Sequence, residues 1–153
     1  MRFEIREDDL SGPEIQALLR EHLAGMQADT PPESVHALPL EALRQPGITL
    51  WSAWRGDRLC GCGALKTLDP LHGELKSMRT HGAFLRQGVG QAVLDHIVAQ
   101  ARARGLLRLS LETGTAPSFA AAHALYRRNG FLPCEPFADY RPDPHSLFMS
   151  RQL

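Results

Sequence analysis

Nowhere does an apolar run approach the roughly 20 residues that a membrane span requires, so no transmembrane anchor is expected. Net charge is also missing: 17 basic side chains stand against 17 acidic ones. That balance argues against a general binder of nucleic acid or of a membrane surface, both of which call for a basic excess. Cysteines number three, an odd count, and set up no disulfide framework. Without a second pair beside Cys60-x-Cys62, a zinc site lacks its usual four ligands. On an extended segment these two side chains are expected to share one sheet face, and they read as reduced thiols of a cytoplasmic protein rather than as nucleophiles. Internal repeats, low-complexity tracts and long linkers are absent too, so residues 1–153 are expected to form one domain.

What is present is enough apolar content, 43%, to build a core. Arg2–Arg6 alternate like a strand rather than a signal peptide. Ser11 and Glu14 have the spacing of a capping box, with Pro13 in the first turn of the helix that follows. That helix carries Ile15, Leu18, Leu19, Leu23 and Met26 as its apolar stripe. A short helix is expected near Leu40–Arg44. Ile48–Trp54 and Leu59–Leu65 read as a hairpin about the turn Arg55-Gly56-Asp57, and Glu74–Met78 as a third strand. A helix then opens at Gly88 and Gly90, carries Val89, Val93, Ile97 and Ala101, and stops at Gly105. Leu106–Glu112 is a strand, Pro117 starts an alanine-rich helix that ends at Asn129-Gly130, and Phe131-Leu132 and Ser146–Ser150 are short strands. The order predicts a mixed α/β fold with a largely antiparallel sheet and one central β-α-β unit.

The richest stretch is Phe84-Leu85-Arg86-Gln87-Gly88-Val89-Gly90-Gln91. Two glycines open a helix, where free N–H groups and the positive end of the dipole favour an anion, and glycine admits a ligand close to the backbone. Such a turn suits phosphate or pyrophosphate. From Lys76 to Arg108 there are six basic residues (Lys76, Arg79, Arg86, Arg102, Arg104, Arg108) against one acid, Asp95, a surplus that suits the same kind of ligand. Spacing disfavours a dinucleotide fingerprint, because Val93 holds its third glycine position. A Walker A motif is absent.

Together with Ala122-His123-Ala124-Leu125-Tyr126, Gly130 and Phe131, this stretch resembles the GCN5-related N-acetyltransferases. The family's pyrophosphate loop reads [QR]-x-x-G-x-[GA], here Leu85 to Gly90. Its later helix reads A-x-x-L-Y-x-x-x-G-F, which Ala122, Leu125, Tyr126, Gly130 and Phe131 match. The order of elements agrees across the whole chain. Two positions depart: Leu85 stands where the family usually has Gln or Arg, with Arg86 next to it, and Phe119 stands where many members have an asparagine. The resemblance implies an acyl-CoA N-acyltransferase fold: six to seven mostly antiparallel strands, about four helices, and a sheet splayed between strands four and five. It implies acetyl-CoA as co-substrate, no metal, and homodimers as a frequent assembly.

Acetylating an amine requires that an ammonium with pKa near 10 lose its proton, that the thioester carbonyl and the developing oxyanion be held, and that the departing thiolate gain a proton. By the resemblance, Tyr126 is the acid beside the sulfur. For the base, Glu74 and Glu112 compete, with a water chain as the alternative. Glu74 lies eleven residues before Leu85, the spacing in the histone-acetylating branch. Glu112 ends the strand next to the splay. Met78, Arg79 and Thr80 are expected at a strand-four bulge that contacts the carbonyl. Arg86, Gln87, Gly88, Val89, Gly90 and Gln91 are expected around the pyrophosphate, and Phe119, Ala122 and Tyr126 along the cofactor arm. Acceptor sites in the family lie in loops that here correspond to Gln27–Leu40 and Pro136–His145, which makes His36, Asp139 and Tyr140 candidates. The expected activity is transfer of acetyl to a primary amine, most simply on a small molecule. A non-catalytic acyl-CoA sensor, a lysine or N-terminal protein acetyltransferase, and a dimerising scaffold are the alternatives.

Overall fold

The structure, a computed structural model, describes residues 2–153; Met1, where the expected domain begins, lies outside them. Seven strands form one sheet in the order β1-β2-β3-β4-β5-β7-β6. They are β1 (Glu4–Asp8), β2 (Ile48–Arg55), β3 (Arg58–Asp69), β4 (His72–Thr80), β5 (Arg108–Gly114), β6 (Leu132–Pro133) and β7 (Ser146–Gln152). The helices are α1 (Pro13–Asp29), α2 (Leu40–Leu43), α3 (Val89–Ala103) and α4 (Ala120–Arg128). Every strand pairing is antiparallel except β4 with β5. This is the expected mixed sheet at the upper strand count, and β1 and β5 begin about two residues later than their alternation suggests.

Two apolar clusters cover the two faces. Ile15, Leu18 and Leu19 of α1 and Leu43 of α2 pack on Leu50, Cys62 and Ala64. On the opposite face Val93, Ile97 and Ala101 of α3, with Tyr126 of α4, pack on Trp51, Ala53, Leu65 and Leu111. Helix α3 sits close to β3 because Gly63 has no side chain: a Cβ there would lie 2.8 Å from Val93 and 2.9 Å from Ile97.

Three local expectations are corrected. Cys60 joins the α3-side cluster and Cys62 the α1-side cluster, because the β2–β3 register shifts at Ala53/Trp54 and a bulge breaks the two-residue alternation. Ser11 does not cap α1. Gly12 is the N-cap, and the Ser11 hydroxyl donates instead to Asp9 Oδ1 at 2.6 Å. The buried stripe of α1 runs through His22 rather than Leu23.

The feature that positions everything else is a short parallel seam. Strands β4 and β5 pair only over His72–Leu75 and Arg108–Leu111, and beyond Leu75 the two strands part. On its other side β4 shifts register against β3 between Cys62 and Ala64, and Ser77 takes a left-handed φ of 55°. The bulge therefore sits at Ser77–Met78, at the near edge of the expected Met78–Thr80 stretch.

Candidate active site

The gap between β4 and β5 is a cavity of about 230 Å³ that passes through the sheet. Its walls come from α1 (His22, Met26), β4 (Lys76 to Arg79), β5 (Leu111 to Gly114) and the segment Ser118–Tyr126. Glu112 and Tyr126 line this one space. Burial pushes the Glu112 carboxyl up to about 7; the Ser146 hydroxyl and then the Lys76 ammonium oppose that rise, while Glu74 and Asp143 add to it. A carboxylate so placed exchanges its proton near neutral pH, as a general base must. Burial also pushes the Tyr126 hydroxyl well above its ordinary value, so the phenol keeps its proton and is available as a donor. Its ring is held edge-on to Phe131 at 5.8 Å.

Glu74 is engaged differently. It is 2% exposed and accepts from Tyr140 Oη at 2.5 Å and from Lys76 Nζ at 3.1 Å. Lys76 Nζ also donates to Tyr140 Oη at 3.0 Å. A buried ammonium, carboxylate and phenol thus satisfy one another, and Glu74 faces an adjoining hollow of about 430 Å³ rather than the cavity beside Tyr126. His36 lines both spaces and stands edge-on to Tyr140 at 4.9 Å. Ser34 Oγ donates to Asp143 Oδ2 at 2.5 Å. These contacts bring together the loops of Gln27–Leu40 and Pro136–His145, as expected, with Asp139 on the rim of the second hollow.

The turn into α3 takes its shape from two left-handed residues, Arg86 (φ 61°) and Gly88 (φ 86°). Gly88 is the N-cap and no side chain caps the helix. The first backbone bond into the helix runs from Ala92 N to Gly88 O, so the N–H groups of Val89, Gly90 and Gln91 have no intrahelical partner. The two glutamine side chains nearest that end are engaged elsewhere. Gln87 accepts from Arg55 Nη1 at 3.0 Å, Gln91 turns to Asp95 and Asn129 at 2.8 Å each, and Arg86 is exposed. Phe84 anchors the turn, buried beneath the Arg58 and Arg55 guanidinium groups at 4.7 and 5.4 Å. A Cβ on Gly90 would lie 3.2 Å from Leu125 and 3.9 Å from Thr80 Oγ1, so the end of β4 and α4 both border this turn. The arrangement can hold an anion by main-chain donors.

The remaining expected residues are accounted for. Met78 packs against the Gly63 position on the α3 side, and Phe119 lies flat over Gly114, where no asparagine amide is offered. Ala122 is on the cavity wall. The Arg79 side chain crosses to α1 and donates from Nη2 to Glu21 Oε1 at 3.1 Å. His22 was not anticipated. It is 5% exposed and held neutral, its pKa lowered to about 4 by burial and then by Arg79. The signal in the sequence was a histidine in register with Leu18 and Leu19. The thiols are poor nucleophiles, since burial pushes Cys62 up to about 12 and raises Cys60. Among the described residues, no group of three or more His, Cys, Asp or Glu side chains could hold a metal ion, and no helix is long and apolar enough to cross a membrane.

Known proteins resemble the chain as a whole. The model of the Acetyltransferase (GNAT) family matches residues 15–131. YsnE of Bacillus subtilis (strain 168), described as an uncharacterized N-acetyltransferase, is 57% identical over 149 residues, which is 97% of this chain and 99% of that protein. YedL of Escherichia coli (strain K12), described in the same words, is 56% identical over 151 residues, 99% of this chain and 95% of its own. The solved structure of a GNAT family acetyltransferase from Elizabethkingia anophelis with acetyl-CoA bound superposes with a TM-score of 0.71 at 18% identity, covering 99% of this chain and 98% of that one.

Proposed function

The chain belongs to the GNAT family of acetyltransferases, and from that premise we propose that it transfers acetyl from acetyl-CoA to a primary amine of a small molecule, by direct attack within a ternary complex. The observation that carries this reading is the single cavity onto which Glu112 and Tyr126 both open, between strands that part after Leu75.

The residues present fit acetyl-CoA. The uncapped N–H groups of Val89, Gly90 and Gln91, with Arg86 beside them, suit its diphosphate, and the cavity beside Phe119, Ala122 and Tyr126 suits its acyl end. When bound, acetyl-CoA supplies an activated acyl group on a thiol leaving group. Glu112 takes the proton from the acceptor ammonium, which must be lost before the nitrogen can attack. Tyr126 gives its proton toward the leaving sulfur. Backbone at the Ser77–Met78 bulge and on to Thr80 orients the carbonyl. Glu74 is not the base in this reading, because its carboxylate is already shared between Lys76 and Tyr140.

Residues 1–153 act here as one acetyltransferase domain. Buried, unpaired Cys60 and Cys62 support a reducing, cytoplasmic setting. Two measurements test the proposal: titration of acetyl-CoA by calorimetry, and thiol release across a panel of amines. Tyr126→Phe is expected to lower kcat by at least about tenfold with acetyl-CoA affinity kept. Binding of acetyl-CoA without release of thiol to any amine, peptide amines included, would favour a sensor. Release with peptides alone would favour a protein acetyltransferase.

A further inference from the structure

Residues on the α1 side of the cavity hold polar atoms that no described residue satisfies. His22 Nδ1, Ser77 Oγ and Arg79 Nε are all buried without a hydrogen-bond partner among the described residues, and all three residues line the same cavity. Buried polar groups are ordinarily paired, and leaving one unpaired is costly. Three on one wall of a cavity that also carries the proposed acid and base mark a place where a ligand supplies the missing partners.

Their chemistry specifies that ligand. The guanidinium of Arg79 can only donate. Ser77 can donate through its hydroxyl. His22 is uncharged at neutral pH, so it is a poor base there but can present Nδ1–H as a donor in one tautomer. All three can serve as donors to an acceptor of hydrogen bonds. The balance of charge points the same way. Lys76 is neutralised by Glu74 at 3.1 Å with both side chains buried, whereas the partner of Arg79, Glu21, is 54% exposed, and an exposed carboxylate compensates little. The other carboxylate on that side, Asp29, is exposed and receives the Ser118 hydroxyl at 2.8 Å. The wall therefore carries a cation, its side chain 30% exposed, that has no buried counter-charge beside it.

We propose that the acceptor is an amine that also carries a carboxylate, of amino-acid size, with the carboxylate held by Arg79, Ser77 and His22 and the amine directed across the gap to Glu112. Size agrees, since about 230 Å³ must hold both this molecule and the acyl end of the co-substrate. Arg79 and His22 are positioning residues: they fix the acceptor and take no part in the proton transfers. This inference rests on the acetyltransferase reading above.

The test pairs amino acids with their own amides as acceptors, at a pH above the amine pKa of both so that the lower amine pKa of the amide does not bias the comparison. At least one amino acid is expected to be used with a kcat/KM about tenfold or more above that of its amide, the difference lying mainly in KM. Arg79→Gln is expected to collapse that ratio, and Arg79→Lys, which keeps the charge but loses the fork, to restore part of it. Ser77→Ala is expected to lower the ratio less. On enzyme saturated with CoA, calorimetry should show N-acetyl amino acids binding more tightly than N-acetyl amino acid amides. Amides used as well as the acids, a ratio indifferent to Arg79→Gln, or equal binding of the two product series would each overturn the inference. Any of those results alongside thiol release with other amines leaves the acetyltransferase reading standing. Absence of acetyl-CoA binding would remove that reading itself.

Discussion

The turn into α3 and the α1 side of the cavity are made of different material. At the turn the donors are main-chain amides, exposed by a left-handed glycine and the absence of a capping side chain. At the α1 side they are side chains, gathered from one helix and one bulged strand onto a common wall. The first suits a ligand of fixed chemistry, since a backbone turn changes little when neighbouring side chains change. The second suits a ligand selected by the particular side chains that line it. The two carboxylates on the neighbouring strands β4 and β5 also differ. Glu74 has its partners inside the protein, whereas Glu112 faces the cavity with its proton affinity raised by burial.

The sharpest way to break that contrast is to neutralise each carboxylate. Glu112→Gln is expected to lower kcat by about 10² to 10⁴, read by steady-state thiol release, with the acetyl-CoA dissociation constant from calorimetry unchanged. Glu74→Gln is expected to act on folding instead. It leaves the Lys76 ammonium buried without its counter-charge, a loss of about 3 kcal/mol measurable by urea denaturation. A large fall in kcat with full stability in Glu74→Gln would reverse the roles assigned here. The main-chain end is probed by Gly88→Ala. A Cβ at φ 86° costs about 1 kcal/mol, expected as reduced stability or as a severalfold weaker acetyl-CoA complex. No effect on either would mean that the turn is not held in this shape.

How much of this was legible in the sequence divides along the same line. The turn at Gly88 and Gly90, the helix carrying Tyr126 and the order of strands are local or periodic features, and each was read directly. The choice between Glu74 and Glu112 was not, because it depends on what each carboxylate meets. Tyr140, sixty-six positions after Glu74, makes the difference. The β2–β3 bulge was invisible for a related reason. Cys60 and Cys62 were expected on one face, and one shift in register at Ala53/Trp54 separates them. His22 was passed over because Leu23 beside it completes a more hydrophobic stripe, although burial follows His22. Arg79 was expected through its backbone, while its side chain crosses to α1, a path fixed by the close approach of Gly25.

The pH dependence of kcat/KM, measured with the best amine acceptor for the wild-type protein and the two glutamate variants, tests the central claim most directly. With Glu112 as base, wild-type activity is lost as pH falls through about 7, where the carboxyl gains its proton, and levels off above that. In Glu112→Gln the break disappears, and the residual rate climbs toward the amine's own pKa near 10. The same break surviving in Glu112→Gln, or vanishing in Glu74→Gln alone, would contradict the account.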